Sequence, residues 1–189
     1  LSAESATQLF AESVKAGTSL QDNNKELFGN LQIMSTQSGI QVDMNKTIEE
    51  AAAIQGNLRA NFKFITNNIA QAVFQAKLLG LNLSQVAGAG EKLLDFESSI
   101  GAEMEAELLI GRQLNLEKAR EYALMGNTKG LMEEISKEAG TQEDFLNMNI
   151  IQRKALANAV GMEVNELADM YESKAKNDAL AEKSLKLQN

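Results

Sequence analysis

The chain of 189 residues contains no histidine, cysteine, proline or tryptophan. Without histidine and cysteine it lacks the side chains most often used for proton transfer near neutral pH, nucleophilic catalysis and transition-metal binding. The absence of cysteine also excludes a disulfide framework, which fits a reducing compartment. Because no proline interrupts them, the abundant Ala, Leu, Glu, Lys, Gln and Asn predict an all-α fold. Composition alone names no function.

Aromatic residues are scarce at 5%, whereas 44% of the chain is hydrophobic. A core must therefore consist of Leu, Ile, Val, Met and Ala, and this content is enough for one if the helices fold back on each other. The net charge of −8 is uneven: residues 1–90 carry 6 basic and 7 acidic side chains, and residues 91–189 carry 12 and 19. Such a surface repels phosphate backbones, so nucleic acid is not an expected partner.

No apolar run approaches the roughly 18 residues that a membrane span needs. The first residues, LSAESATQLF, lack the charged start and apolar middle of a signal peptide. The chain begins with Leu1 rather than Met, and we expect it to be part of a longer protein.

One seam of apolar residues recurs at alternating steps of four and three over three heptads. Its members are Leu58, Phe62, Ile65, Ile69, Ala72, Ala76 and Leu79. The other side of this helix is rich in Asn, Gln and basic residues, so the seam must meet another helix. That helix belongs either to the same chain, as an internal core seam, or to a second copy, as a self-association surface.

Three short segments share a pattern of glycine, apolar residue, polar residue, apolar residue and a short polar residue. They are residues 39–43, 80–84 and 161–165. A glycine can close a helix in the left-handed conformation, and Asp, Ser or Asn can cap the next one, so each segment predicts a tight helix-to-helix corner. Asn127 and Thr141 predict two further corners, the second with Asp144 completing an approximate capping box.

These signals predict helices at about 2–16, 20–37, 44–79, 84–110, 114–125, 128–139, 142–147, 149–160 and 164–186. Gly88 and Gly90 suggest a kink in the fourth of them. We expect an elongated segment with the seam at 1–83, a compact helical bundle at 84–171, and a charged tail at 172–189 that projects or frays. The residues expected in the bundle core are Ile151, Ala155, Leu156, Ala159 and Val160.

The densest acidic cluster contains Glu103, Glu105 and Glu107, with Asp95 and Glu97 upstream. On a helix Glu103 and Glu107 share a face while Glu105 points away. Two carboxylates are too few for a hard-metal site, and no glycine-bent ligand loop is present. We therefore interpret the cluster as a solvated acidic face, and expect no metal and no cofactor.

Glu97-Ser98 and the later Gly130-Leu131-Met132 faintly resemble motifs of lytic transglycosylases, in which a catalytic glutamate precedes serine. Glu133 stands where that family has Gln, the motifs lie too far apart, and no Tyr-Asn pair follows. A general-acid glutamate also needs an apolar pocket, and Phe96 is the only aromatic nearby. A serine nucleophile would have only lysine as a base, in no supporting motif. We do not expect an enzyme.

Two stretches carry a family resemblance: residues 93–135, LLDFESSIGAEMEAELLIGRQLNLEKAREYALMGNTKGLMEEI, and residues 148–170, MNIIQRKALANAVGMEVNELADM. Both resemble a segment of the tail tape measure proteins of long-tailed bacteriophages. Upstream, residues 67–94 are similar to the family's repeated small-residue helices, in which an alanine-rich helix ends at glycine and the next begins with a polar cap. The likeness covers roughly the last two thirds of the chain, whereas residues 1–60 match only in composition.

The resemblance implies a long, mostly helical virion protein, made in the host cytoplasm and held in several copies in the tail lumen. There its length sets tail length, and it is ejected before DNA passes. The expected partners are other copies and tail tube or tail assembly proteins. The capped corners after residue 80 predict a compact helical domain within the ruler. Two alternatives stay open: a peptidoglycan-cleaving tail domain with Glu97 as acid, and a cellular helical adaptor that binds a partner in an apolar groove.

Overall fold

The computed structural model describes residues 25, 29–36, 43, 46 and 66–187, with the backbone only for 66–71 and 180–187. Of the described residues 82% are helical and none lies in a strand, so the all-α prediction is confirmed. The helices are α1 (29–36), α2 (Thr66–Leu78), α3 (Leu83–Leu94), α4 (Phe96–Ile110), α5 (Glu117–Met125), α6 (Thr128–Ala139), α7 (Gln142–Asn147), α8 (Ile150–Ala159) and α9 (Val164–Leu187).

The predicted helix 84–110 is two helices, and the break lies at Asp95 rather than at Gly88 or Gly90. Asp95 has a ψ of 81°, outside the helical region, and its carboxylate accepts a 2.7 Å hydrogen bond from the Ser98 hydroxyl. Asp side chains compete with the helix for local hydrogen bonds, which explains why the chain turns here. Both glycines remain inside the continuous helix α3, so neither interrupts it, and the suggested kink stays a prediction.

Two of the predicted corners contain a left-handed glycine, with φ of 68° at Gly80 and 78° at Gly161. The caps differ from the prediction because α3 begins at Leu83 and α9 at Val164. Ser84 and Asn165 therefore lie inside the first turns. Of the third corner, only the cap lies within the described residues: Asp43 accepts a 3.1 Å hydrogen bond from the amide of Lys46.

The remaining predicted caps are confirmed. Asn127 accepts a hydrogen bond from the amide of Gly130 at the start of α6. Thr141 and Asp144 form a full capping box at the start of α7, and the Thr141 hydrogen bonds lower the pKa of the Asp144 carboxyl. Each short helix thus has its own start signal, which fixes the corners of the fold.

The described residues divide into two units, one with residues up to Lys77 and Asn82–Ser84, the other with Leu78–Leu81 and the residues from Gln85 onward. The predicted boundaries at 83 and 171 stay a prediction. In the second unit α4 packs along α8, α5 packs along α6, and α9 contacts α7 and α8. The large, fully buried side chains of this unit include Leu93, Leu116, Met132, Ile135, Leu156, Leu167 and Met170. The segment from 172 is helical as far as Leu187.

Candidate functional site: an acidic groove between two helices

The predicted association seam is described only in part. Leu58, Phe62 and Ile65 lie outside the described residues, and Ile69 is described in backbone only, within α2. Ala72 and Ala76 are buried, and Leu79, just after α2, is half-buried. The role of the seam in helix association stays a prediction.

Of the five residues expected in the bundle core, Ile151 is misplaced, because 61% of its surface is exposed. The other four, Ala155, Leu156, Ala159 and Val160, are buried. In the first turn of α8 the buried face continues through the half-buried Gln152, whose amide donates a 2.9 Å hydrogen bond to the carbonyl of Leu109. Ile151 borders that face and points outward, so an apolar residue was mistaken for a core residue.

The acidic cluster of α4 fixes the loop that follows it. Glu103 accepts a 2.9 Å hydrogen bond from the amide of Leu116, and Glu107 accepts one of 2.8 Å from the amide of Leu114. Both glutamates are half-buried on one face, whereas Glu105 is exposed, as the helical spacing predicts. The interpretation as a solvated face is therefore wrong for Glu103 and Glu107, which satisfy backbone donors outside any helix.

The loop after α4 is also hydrogen-bonded to α6. Glu138 accepts a 2.9 Å hydrogen bond from the amide of Asn115, while the Arg112 guanidinium donates to the carbonyls of Glu138 and Ala139 at 2.9 and 3.3 Å. Those carbonyls lie at the end of α6, where no further turn of helix supplies N–H groups to donate to them. The loop and the end of α6 therefore hold each other in place.

A largely buried ion pair lies between α4 and α5. Arg120 donates to Glu103 and, over 3.0 Å, to the hydroxyl of Ser99. The side chains of Arg120 and Glu103 are 11% and 13% exposed. Since Glu103 also accepts from the loop, one carboxylate joins α4, the loop and α5. Such a pair with extra hydrogen bonds is sensitive to the loss of either partner.

Above this ion pair lies an open groove of about 540 Å³. Phe96 and Ile100, one turn apart on α4, form one side, and Leu124 of α5 forms the other. Their exposed fractions are 49%, 47% and 69%, while Leu114 at the base is buried. We call this feature the acidic groove, and its complete lining is Phe96, Ile100, Glu103, Leu114, Asn115, Glu117, Arg120, Glu121 and Leu124.

The rim of the acidic groove is negatively charged. Glu117 and Glu121 lie one turn apart on α5 and are both exposed. From Phe96 to Met125 the chain has six acidic and three basic residues, for a net charge of −3. Apolar sides with an acidic rim suit an amphipathic helix with apolar residues on one face and a cation beside them. Among the described residues, no group of three carboxylates lies close enough together to hold a metal ion.

The residues that resemble transglycosylase motifs do not form a catalytic pocket in the structure: one is exposed and the others pack against neighbouring helices. Glu97 is exposed in the first turn of α4, outside any apolar pocket that the general-acid role requires. Gly130, Leu131 and Met132 are buried in α6, and a Cβ at Gly130 would come within 2.8 Å of the ring of Tyr122. This glycine allows α6 to approach α5.

Comparisons of the chain with protein families, with curated proteins and with solved structures gave no match. In the part of the chain that the structure describes, no helix has the length and apolar character to cross a membrane. The role of the acidic groove is therefore inferred from its residues and their geometry alone. The groove was not among the features predicted from the sequence. The signal that could have revealed it is a row of exposed apolar residues spaced four apart on a helix that also has a buried face: Phe96 and Ile100, which line the groove, then Met104 and Leu108.

Proposed function

We propose that this chain is a structural virion segment of the tape measure type, a folded helical part of a longer protein in a phage tail. The resemblance in residues 93–135 and 148–170 carries the proposal. Those stretches coincide with the end of α3 through most of α6 and with α8 and the start of α9. The all-α fold supports it, since a helix rises a fixed distance of about 1.5 Å per residue and suits a ruler.

The first test is to read the open reading frame that encodes this chain. We expect several hundred further helical, proline-poor codons next to tail tube genes, with a total length that predicts tail length at about 1.5 Å per residue. Mass spectrometry of purified virions should then find peptides of this chain in intact tails and lose them after DNA ejection. Peptides that are absent from tails would contradict the proposal.

A second candidate is a helical adaptor, and the acidic groove is the observation that favours it. An exposed apolar groove between two helices is a common site for a partner helix. Such an adaptor would bind one partner at a fixed ratio, and its reading frame would lie away from tail genes. The peptidoglycan-cleaving alternative gains no support from the exposed Glu97. Turbidity clearing of peptidoglycan that is lost in Glu97→Gln would restore it.

A further inference from the structure

A second exposed apolar surface lies at the junction of α7 and α8. Leu146, Ile150 and Ile151 are 60%, 69% and 61% exposed. Lys154 is exposed one turn after the two isoleucines and so lies on the same side of α8. We call these four residues the isoleucine edge.

The isoleucine edge has a rigid frame. Asn149 caps α8 through hydrogen bonds from the amides of Ile151 and Gln152, at 2.9 and 3.0 Å. Arg153 donates to the carbonyl of Leu146 over 2.7 Å and so ties α8 to the end of α7. The backbone that carries the exposed residues is thus held by capped, cross-linked helix ends, so little backbone order has to be gained when they bind.

The α8 part of the edge and the acidic groove carry opposite charge. Within α8 the charged residues are Arg153 and Lys154, whereas the exposed carboxylates of Glu143 and Asp144 precede Leu146 in α7, so the cation of the edge is Lys154 beside the two isoleucines. The groove region has a net charge of −3 and the exposed carboxylates of Glu117 and Glu121 at its rim. One unit therefore displays an apolar groove with anions beside it and an apolar edge with a cation beside it. Complementary potentials of this kind select partners and fix their register.

We propose that the acidic groove of one copy of this chain binds the isoleucine edge of a second copy. Ile150, Ile151 and Leu146 of one copy contact Phe96, Ile100 and Leu124 of the other, and Lys154 lies beside Glu117 and Glu121. The two surfaces are different, so the contact is heterologous, and each copy keeps a free groove and a free edge for the next. Copies added in this way form an open chain or a closed ring. The proposal is independent of the function proposed above.

The first experiment uses the complete 189-residue chain and two variants in exposed side chains, Leu124→Asp in the groove and Ile151→Asp in the edge. Circular dichroism should show unchanged helix content and melting for both. In sedimentation velocity we expect the parent chain to grow beyond a dimer as its concentration rises, and each variant to associate at least about tenfold more weakly. An equimolar mixture of the two variants should form a dimer and nothing larger, because it contains one intact groove and one intact edge per pair.

Several outcomes would overturn the proposal. A parent chain that stays monomeric at all concentrations would leave the groove to a different partner. Association that is unchanged in both variants would place self-association elsewhere, including at the seam around Ala72 and Ala76. Two variants that remain monomeric when mixed would indicate an interface that uses the same surface on both copies.

A second experiment uses the absence of cysteine from the chain. Glu121→Cys and Lys154→Cys are made in separate copies with tags of different mass, mixed and oxidised. We expect a disulfide-linked heterodimer, with severalfold less of either linked homodimer. Lys129→Cys, on the exposed side of α6, replaces Lys154→Cys in the control mixture and should give little product. Equal yields from the test and control mixtures would overturn the proposed contact even if the chain associates by another surface.

Discussion

The phenol of Tyr171 donates a 2.7 Å hydrogen bond to the carbonyl oxygen of Ala139, the last residue of α6. The ring itself is buried and lies with its centroid 5.0 Å from that of Phe145. One side chain of α9 thus satisfies the end of α6 and packs on α7. The fold requires the protonated form of Tyr171. An ionised phenolate would be charged in a buried site and could not donate this hydrogen bond.

The first prediction concerns alkaline pH. Burial raises the pKa of Tyr171 from 10.0 to about 12. Below pH 10 the phenol is neutral in both states; between about 10 and 12 only the unfolded chain loses the proton, so the free energy of unfolding falls as pH rises. The loss from this group is about 2 to 3 kcal/mol by pH 12. Urea unfolding at a series of pH values should show this fall in the free energy of unfolding. In Tyr171→Phe the fall between pH 10 and 12 should be smaller by the contribution of Tyr171, while the contributions of other ionisable groups remain.

A second prediction compares two helix glycines. Gly130→Ala places a Cβ 2.8 Å from the ring of Tyr122, whereas a Cβ at Gly88 meets nothing within 4 Å. Both changes improve helix propensity by about 1 kcal/mol. Overpacking costs about 1 to 3 kcal/mol, so Gly130→Ala should lower the free energy of unfolding and Gly88→Ala should raise it. Equal effects in chemical denaturation would contradict the close approach of α5 and α6.

The third prediction concerns two left-handed glycines with similar φ but different surroundings. Gly111 and Gly161 have φ of 69° and 78°. A Cβ at Gly111 meets nothing within 4 Å, but at Gly161 it would lie 2.6 Å from the carbonyl oxygen of Ala89. Gly111→Ala should cost about 1 to 2 kcal/mol, from the left-handed conformation alone. Gly161→Ala should cost clearly more, because backbone atoms of α3 must move. Thermal melts of both variants at one protein concentration distinguish these values.

A fourth prediction contrasts a buried and an exposed ion pair. Arg120→Met leaves Glu103 charged and 13% exposed without its partner, which should cost about 3 to 5 kcal/mol. Lys129→Met removes the partner of Glu133 from a pair whose side chains are 53% and 61% exposed, and should change stability by less than about 1 kcal/mol. Urea midpoints give the comparison, and a mild Arg120→Met would mean that water reaches the pair.

Helix ends could be read from the sequence because their signals are local. Thr141 and Asp144 are three residues apart, and the hydroxyl and carboxylate that form the capping box need no other part of the chain. Gly80 and Gly161 likewise mark their corners because their left-handed conformation favours glycine. The break at Asp95 has an equally local signal, the Ser98 hydroxyl three residues later, and could have been read in the same way. The error at Ile151 has a different origin, because the buried face of α8 depends on the end of α4 beside Gln152, 43 residues away in the chain.

The groove could not be predicted in this way. It exists because Phe96 and Leu124, on different helices, face each other across an ion pair. The sequence shows glutamates at 103 and 107 but not the loop amides that donate to them, which lie thirteen and seven positions later, respectively. Periodicity gives the face of a helix, whereas the partner of that face depends on how the helices pack.

Gln152 uses both ends of its amide group. Its oxygen accepts a 2.9 Å hydrogen bond from the amide of Asn149 at the start of α8, and its nitrogen donates to the carbonyl of Leu109 in the last turn of α4. When α8 frays at that end, α4 loses a partner for its own last turn, so the two helix termini open as one cooperative unit. Native-state hydrogen exchange should then report a common opening free energy for amides near both termini, and that agreement should disappear in Gln152→Ala.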